Sequence, residues 1–153
     1  MANYTNEIRV MMEKVSTMIV TQDKQGFYRA SLGADYSLLD VLILQYVSNQ
    51  TCSIKDIVDH FGINRNIINS TVGSMVKKNI LFKTRNDDDG RLQLIDLTPK
   101  GQEIVEIIQK EKNKELEFML SEASINEEKA ILKFLSKYTQ YRTEKYVLKD
   151  KKD

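Results

Sequence analysis

Between residues 53 and 97 the apolar positions run twice at helical spacing and then switch to a period of two, and few folds accept that order. Ile57, Val58 and Phe61 mark a short helix over residues 53–61, stopped by Gly62, a residue that tolerates the left-handed conformation after a helix. Ile63, Ile68, Val72, Met75 and Val76 mark a second helix over residues 64–79, reached across only Gly62-Ile63. So tight a connection is of the helix-turn-helix kind. Residues 81–85 and 91–97 then flank Asn86-Asp-Asp-Asp-Gly90, a turn cluster, and predict a β-hairpin.

Helix-start signals organise the rest. Ser37-Leu-Leu-Asp40, Ser53-Ile-Lys-Asp56 and Ser124-Ile-Asn-Glu127 each place a hydroxyl at an N-cap and a carboxylate three residues on. The two Asp copies are expected to be weaker, because the shorter side chain reaches back less easily. Thr98-Pro99 is a fourth start, with Pro at the first helical position, where its missing N–H costs nothing. Helices are therefore predicted over residues 5–28, 37–47, 53–61, 64–79, 98–120 and 124–148, followed by a frayed polar tail, 149–153. One Pro and six Gly leave little turn chemistry, as a mostly helical chain requires. The expected fold is mainly α with a small β-hairpin wing: one domain of about six helices, a winged helix-turn-helix at 36–99 between helical segments 1–35 and 100–148.

The formal net charge of +1 decides nothing, but its distribution is uneven. From Lys55 to Arg85 the bases Lys55, Arg65, Lys77, Lys78, Lys83 and Arg85 face only Asp56 and Asp59, and acids dominate after Thr98. A basic middle is a modest electrostatic footprint for nucleic acid. One Cys and one His exclude a disulfide framework and the usual zinc sets within one chain. Residues 1–7 lack the apolar core of a signal peptide, and the most apolar stretch, 38–47, is cut by Asp40 and too short to span a bilayer. The expectation is a cytoplasmic protein with no membrane association and no cofactor. No acid–base or nucleophile constellation points to an enzyme.

On the second helix of the pair, Arg65, Asn66, Asn69, Ser70, Ser74 and Lys77 remain outside the apolar set. A polar helix face is usually only a solvated one. In helix-turn-helix docking, however, the N-terminal residues of this helix meet base edges, Asn pairing with adenine and Arg with guanine. The hairpin that follows, with Arg85 on its first strand and Arg91 past its tip, can reach a minor groove, whose negative potential draws Arg.

In Ser53-Ile-Lys-Asp-Ile-Val-Asp-His-Phe-Gly62, Asn64-Arg-Asn-Ile-Ile-Asn69, Asp89-Gly-Arg91 and Leu97-Thr-Pro-Lys-Gly101 the chain resembles the MarR family of winged helix-turn-helix transcriptional regulators. An Asp-x-Arg wing shortly before a Leu-Thr-x-x-Gly helix start is the most specific part, and the order of helices extends the resemblance over nearly the whole chain. It implies a homodimer on double-stranded DNA, a pseudo-palindromic operator, a repressor role, and a small aromatic ligand that disfavours DNA binding. It makes Arg91 the wing arginine, Asp89 the acid that orients it through an ion pair, and Arg65, Asn66, Asn69 and Ser70 major-groove readers. It places dimerisation on the N- and C-terminal helices, where Ile131, Phe134, Leu135, Tyr138 and Tyr141 offer more apolar surface than a small lone domain easily covers. Two departures make the reader less basic than its relatives: Ser70 stands where many carry Arg, and the wing tip is acidic. They support a second reading, a winged-helix protein-interaction module with weak or lost specific DNA binding.

Other residues invite blander readings. Cys52 has only Lys55 nearby as a base and is expected to be a buried structural thiol. His60 is expected to be a helix-end residue, Met11, Met12 and Met18 packing residues, and Asp87–Asp89 a solvated run and no metal site.

Overall fold

A computed structural model describes residues 3–147; the expected tail, 149–153, and Leu148 of the expected final helix lie outside the described residues, as do the first two positions. The element order is α1 (Thr5–Gln25), α2 (Arg29–Leu32), α3 (Leu38–Asn49), β1 (Cys52–Ser53), α4 (Ile54–Phe61), α5 (Arg65–Lys77), β2 (Leu81–Arg85), β3 (Gln93–Leu97), α6 (Pro99–Leu120) and α7 (Ile125–Arg142), with a π-helical turn at Thr143–Val147. This is the winged helix-turn-helix expected, with strands in the order β1-β3-β2.

All three capping boxes form. The Asp copies are as close as the Glu copy: Ser37 N–H donates to Asp40 at 2.8 Å, Ser53 N–H to Asp56 at 2.8 Å and Ser124 N–H to Glu127 at 2.7 Å. The expected weakness of the Asp boxes is therefore absent from the geometry. The Ser124 hydroxyl, and then its backbone N–H, hold the Glu127 carboxyl below its ordinary pKa.

The first helix stops three residues short of its expected end. Gly26 adopts φ +93°, its N–H closing the helix on Gln22 at 2.8 Å, and the next N–H, that of Phe27, turns to the Tyr36 carbonyl at 2.8 Å. A Cβ at Gly26 would lie 2.9 Å from the Asp35 Cα, so the crossing of these two segments requires glycine. Asp23 accepts the Leu38 N–H at 2.7 Å and Arg29 pairs with Asp35 at 3.1 Å, tying the end of α1 to the start of α3.

Gly62 ends α4 in the left-handed conformation, φ +64°. Asn79, at φ +58°, ends α5 in the same way: its N–H reaches Val76 O, and the Ile80 N–H reaches Met75 O. These are the two hydrogen bonds of a Schellman motif, here built on asparagine. In the wing, Leu81 pairs with Leu97 and Arg85 with Gln93. The short strand β1 pairs with Ile95 and Leu94 on the outer edge of β3, making three strands where two were expected.

The hairpin returns to α6 through a tight junction. The Thr98 N–H and hydroxyl approach Ile80 O at 3.1 and 3.0 Å, the hydroxyl also lies 2.6 Å from Asn79 O, and it accepts the Gly101 N–H at 3.0 Å. Lys100 Nζ donates to Lys78 O at 3.2 Å. The Leu-Thr-x-x-Gly motif thus fastens the end of α5, the hairpin and the start of α6 together.

The chain divides into two compact units, Met1–Gln109 and Lys110–Asp153. The first contains the core: Val41, Ile43, Leu44, Ile57, Ile68, Val72, Met75, Leu81, Ile95 and Ile108 are among its residues. The helices α1 and α7 each bury no residue, although both are rich in large apolar side chains.

Candidate nucleic-acid interface

The core determines which side of α5 is left over. Ile68, Val72 and Met75 point inward, and at about 100° per residue the opposite arc carries Asn66, Ser70, Ser74 and Lys77, with Asn69 at its flank and Arg65 in the first turn nearer the core side, all six exposed. No side chain of these six makes a hydrogen bond or ion pair among the described residues. Thr71 differs: its hydroxyl is spent on Ile67 O at 2.9 Å. Asn66, Ser70, Ser74 and Lys77 therefore share one face, with Asn69 beside it and Arg65 at the helix start, and their donors and acceptors are free for an outside partner.

The start of α5 adds to this. Asn64 caps it by accepting the Asn66 N–H at 2.8 Å, and its first turn carries no acid, whereas α3 and α4 each have one there and α7 has two. The positive end of the helix dipole is thus uncompensated and carries Arg65, an arrangement suited to a phosphate.

In the wing, Arg85, Asp89 and Arg91 are all exposed. The Asn86 N–H donates to Leu92 O at 2.9 Å and closes the loop beyond the last strand pair. Asn86 Oδ1 accepts the Asp88 N–H, and Asp89 Oδ1 the Arg91 N–H, each at 3.0 Å. These are side-chain turns that shape the tip. Asp89 therefore positions Arg91 through the main chain, and the Arg91 guanidinium makes no ion pair among the described residues. Asp87 and Asp88 are exposed, and no three His, Cys, Asp or Glu side chains among the described residues gather to hold a metal ion.

Gly73, half-buried, was not among the expected site residues, yet it lies between Asn69 and Lys77, one turn of α5 from each. Only its lack of a side chain could have signalled it. Cys52 is buried at 1% exposure, and burial first, then Asp56 and Asp96, push its thiol up to about 11, so it carries little thiolate at neutral pH. His60 stacks on Tyr46 at 4.3 Å and meets Phe61 edge-on at 4.7 Å, a packing role at the end of α4.

Among solved structures, Streptococcus pneumoniae FabT in complex with DNA matches with a TM-score of 0.79 at 15% identity, covering 93% of this chain and 99% of that one. The transcriptional regulator SlyA matches at 0.72 and 16% identity, covering 94% and 99%. Bordetella bronchiseptica BpsR, whose DNA binding is regulated by 6-hydroxynicotinic acid, matches at 0.64 and 18% identity, covering 87% and 98%. These neighbours are MarR-family transcriptional regulators, and the chain resembles them in fold. A curated relative, the uncharacterised HTH-type transcriptional regulator YdgJ of Bacillus subtilis (strain 168), is 26% identical over 110 residues, 72% of this chain and 66% of its own length, just under two thirds. No protein-family model matches the sequence. Among the described residues, no helix is long and apolar enough to cross a membrane.

Proposed function

We propose that this chain is a transcriptional regulator of the MarR type that binds a pseudo-palindromic DNA site as a homodimer and represses transcription until a small ligand releases it. The observation that carries the reading is the exposed polar face of α5, free of internal partners and followed directly by a wing bearing Arg85 and Arg91. The fold shared with a regulator solved on DNA supports it. Selection of bound fragments from random DNA tests it. The selected sites are expected to hold two inverted half-sites about one helical turn apart, because two recognition helices must enter successive major grooves. Recovery of fragments without a shared motif would overturn it in favour of a protein-interaction module, the reading that the exposed Asp87 and Asp88 at the wing tip favour.

On α5, Asn69→Ala is expected to relax discrimination at one base position, at a cost of about 1–3 kcal/mol for the preferred base. An unchanged base preference removes Asn69 from the readout.

The homodimer rests on the uncovered faces of two helices. Ile8, Met11, Val15, Met18 and Ile19 lie along one side of α1, and Ile131, Phe134, Leu135, Tyr138 and Tyr141 along one side of α7, each 40–63% exposed in the lone chain. A second copy covers them. Leu135→Glu is expected to convert a dimer to a monomer in sedimentation at micromolar concentration, since a buried unpaired carboxylate is strongly unfavourable at an interface. A wild-type chain that sediments as a monomer there contradicts the dimer.

For the ligand, BpsR offers a chemical precedent, a small hydroxylated aromatic acid. A ligand of this class that weakens DNA binding must itself be weakened by DNA to the same degree.

A further inference from the structure

A glycine inside a helix costs stability relative to alanine, so its presence calls for a reason. Two reasons are common, a positive φ or a close approach within the protein. Gly73 has neither: its φ is not positive, and a Cβ built on it meets nothing within 4 Å. The contrast with Gly101 and Gly26 is sharp, because their Cβ atoms would lie 2.2 and 2.9 Å from backbone atoms. No contact within the described residues and no backbone strain accounts for the missing side chain at position 73.

Gly73 is the ninth residue of α5 and lies between Asn69 and Lys77, four residues from each, on the side of the helix away from Ile68 and Met75. An α-helix with side chains is about 10–12 Å across, and the major groove about 12 Å wide, so the fit leaves almost no slack. A methyl group at position 73, if that side of the helix faces the groove, would hold any heavy atom of the DNA about 3.5–4.0 Å from itself and lift the helix. We propose that Gly73 is a specificity-determining residue, the point at which the α5 backbone makes its closest approach to DNA and so sets the depth at which Asn66, Asn69 and Ser70 reach base edges. This rests on the DNA-binding reading above and goes beyond it by assigning a role to a position that has no side chain.

The test is Gly73→Ala, with Gly73→Val as a bulkier step, compared with the wild type on the same selected DNA across a salt series. Gly73→Ala is expected to unfold about 2–4 °C higher than the wild type, as a helical glycine replaced by alanine without a clash should. Its affinity for the selected site is expected to fall about tenfold, and that of Gly73→Val further. The salt slope should stay at the wild-type value, because no cation has been removed. An affinity within twofold of wild type, on DNA the wild type binds specifically, overturns the role of Gly73 and leaves the DNA-binding reading standing. A lower melting temperature for Gly73→Ala also overturns it, by showing that the chain itself needs the glycine. Failure of the wild type to select any DNA sequence overturns both.

Discussion

Gly101→Ala is expected to be among the most destabilising single substitutions in this chain, costing about 3 kcal/mol or more in urea denaturation. The added Cβ would stand 2.2 Å from Ile80 O and 3.2 Å from Leu97 Cδ2. Relief requires moving a main-chain carbonyl, and that carbonyl is already approached by the Thr98 N–H at 3.1 Å and the Thr98 hydroxyl at 3.0 Å. Ile80 is itself 1% exposed and follows directly on the Schellman end of α5, so a shift there disturbs both the helix and the hairpin. Nothing flexible is available to give way. The opposite sign expected for Gly73→Ala makes the pair a direct test, since both are glycine-to-alanine changes in helices of one molecule. A cost below about 1 kcal/mol for Gly101→Ala would show that the junction relaxes in a way its hydrogen bonds do not suggest.

The Leu-Thr-x-x-Gly motif thus has a physical content that its spacing alone could only hint at. Thr98 was legible as an N-cap because capping is local: the hydroxyl, the proline after it and the N–H three residues on all fall within one turn. The same locality made the Ser37, Ser53 and Ser124 caps legible, and with them most helix starts. Elements defined by distant partners were not. The end of α1 at Gln25 depends on Asp35 and Tyr36, and a pattern of apolar residues running on towards Tyr28 carries no trace of that crossing. Strand β1 is two residues long, too short to show a period, and exists only because Leu94 and Ile95 pair with it some forty residues later.

The candidate interface divides in the same way. Its polar face on α5 was legible because the apolar face was: once Ile68, Val72 and Met75 are assigned to the core, the remaining positions follow from helical geometry. Gly73, proposed above, lay outside the expectation because a helix pattern records what side chains do. Asp89 was expected to orient Arg91 through an ion pair, but a carboxylate two residues before an arginine can serve its guanidinium or its main-chain N–H equally well. The structure has it serving the N–H.

That choice shapes the expected behaviour of the wing. Arg91→Ala should weaken DNA binding about tenfold or more, as loss of a charge-assisted hydrogen bond does, and should lower the salt slope by about one counterion. Lys and Arg contacts to phosphate or to a narrow minor groove are the dominant salt-dependent element, and this wing has few cations against the exposed Asp87, Asp88 and Asp89. One arginine is therefore a large share of its positive charge. Asp89→Asn separates the two ways in which the acid could act. Asparagine keeps the side-chain oxygen that accepts the Arg91 N–H, and so keeps the turn, while removing a negative charge from beside the DNA. Binding is expected to hold or tighten in Asp89→Asn and to weaken in Asp89→Ala, which loses the turn. Equal weakening in both variants would mean that the carboxylate charge is needed on the guanidinium after all. If Arg91→Ala leaves affinity and slope at wild-type values, the wing does not touch DNA, and recognition rests on α5 alone.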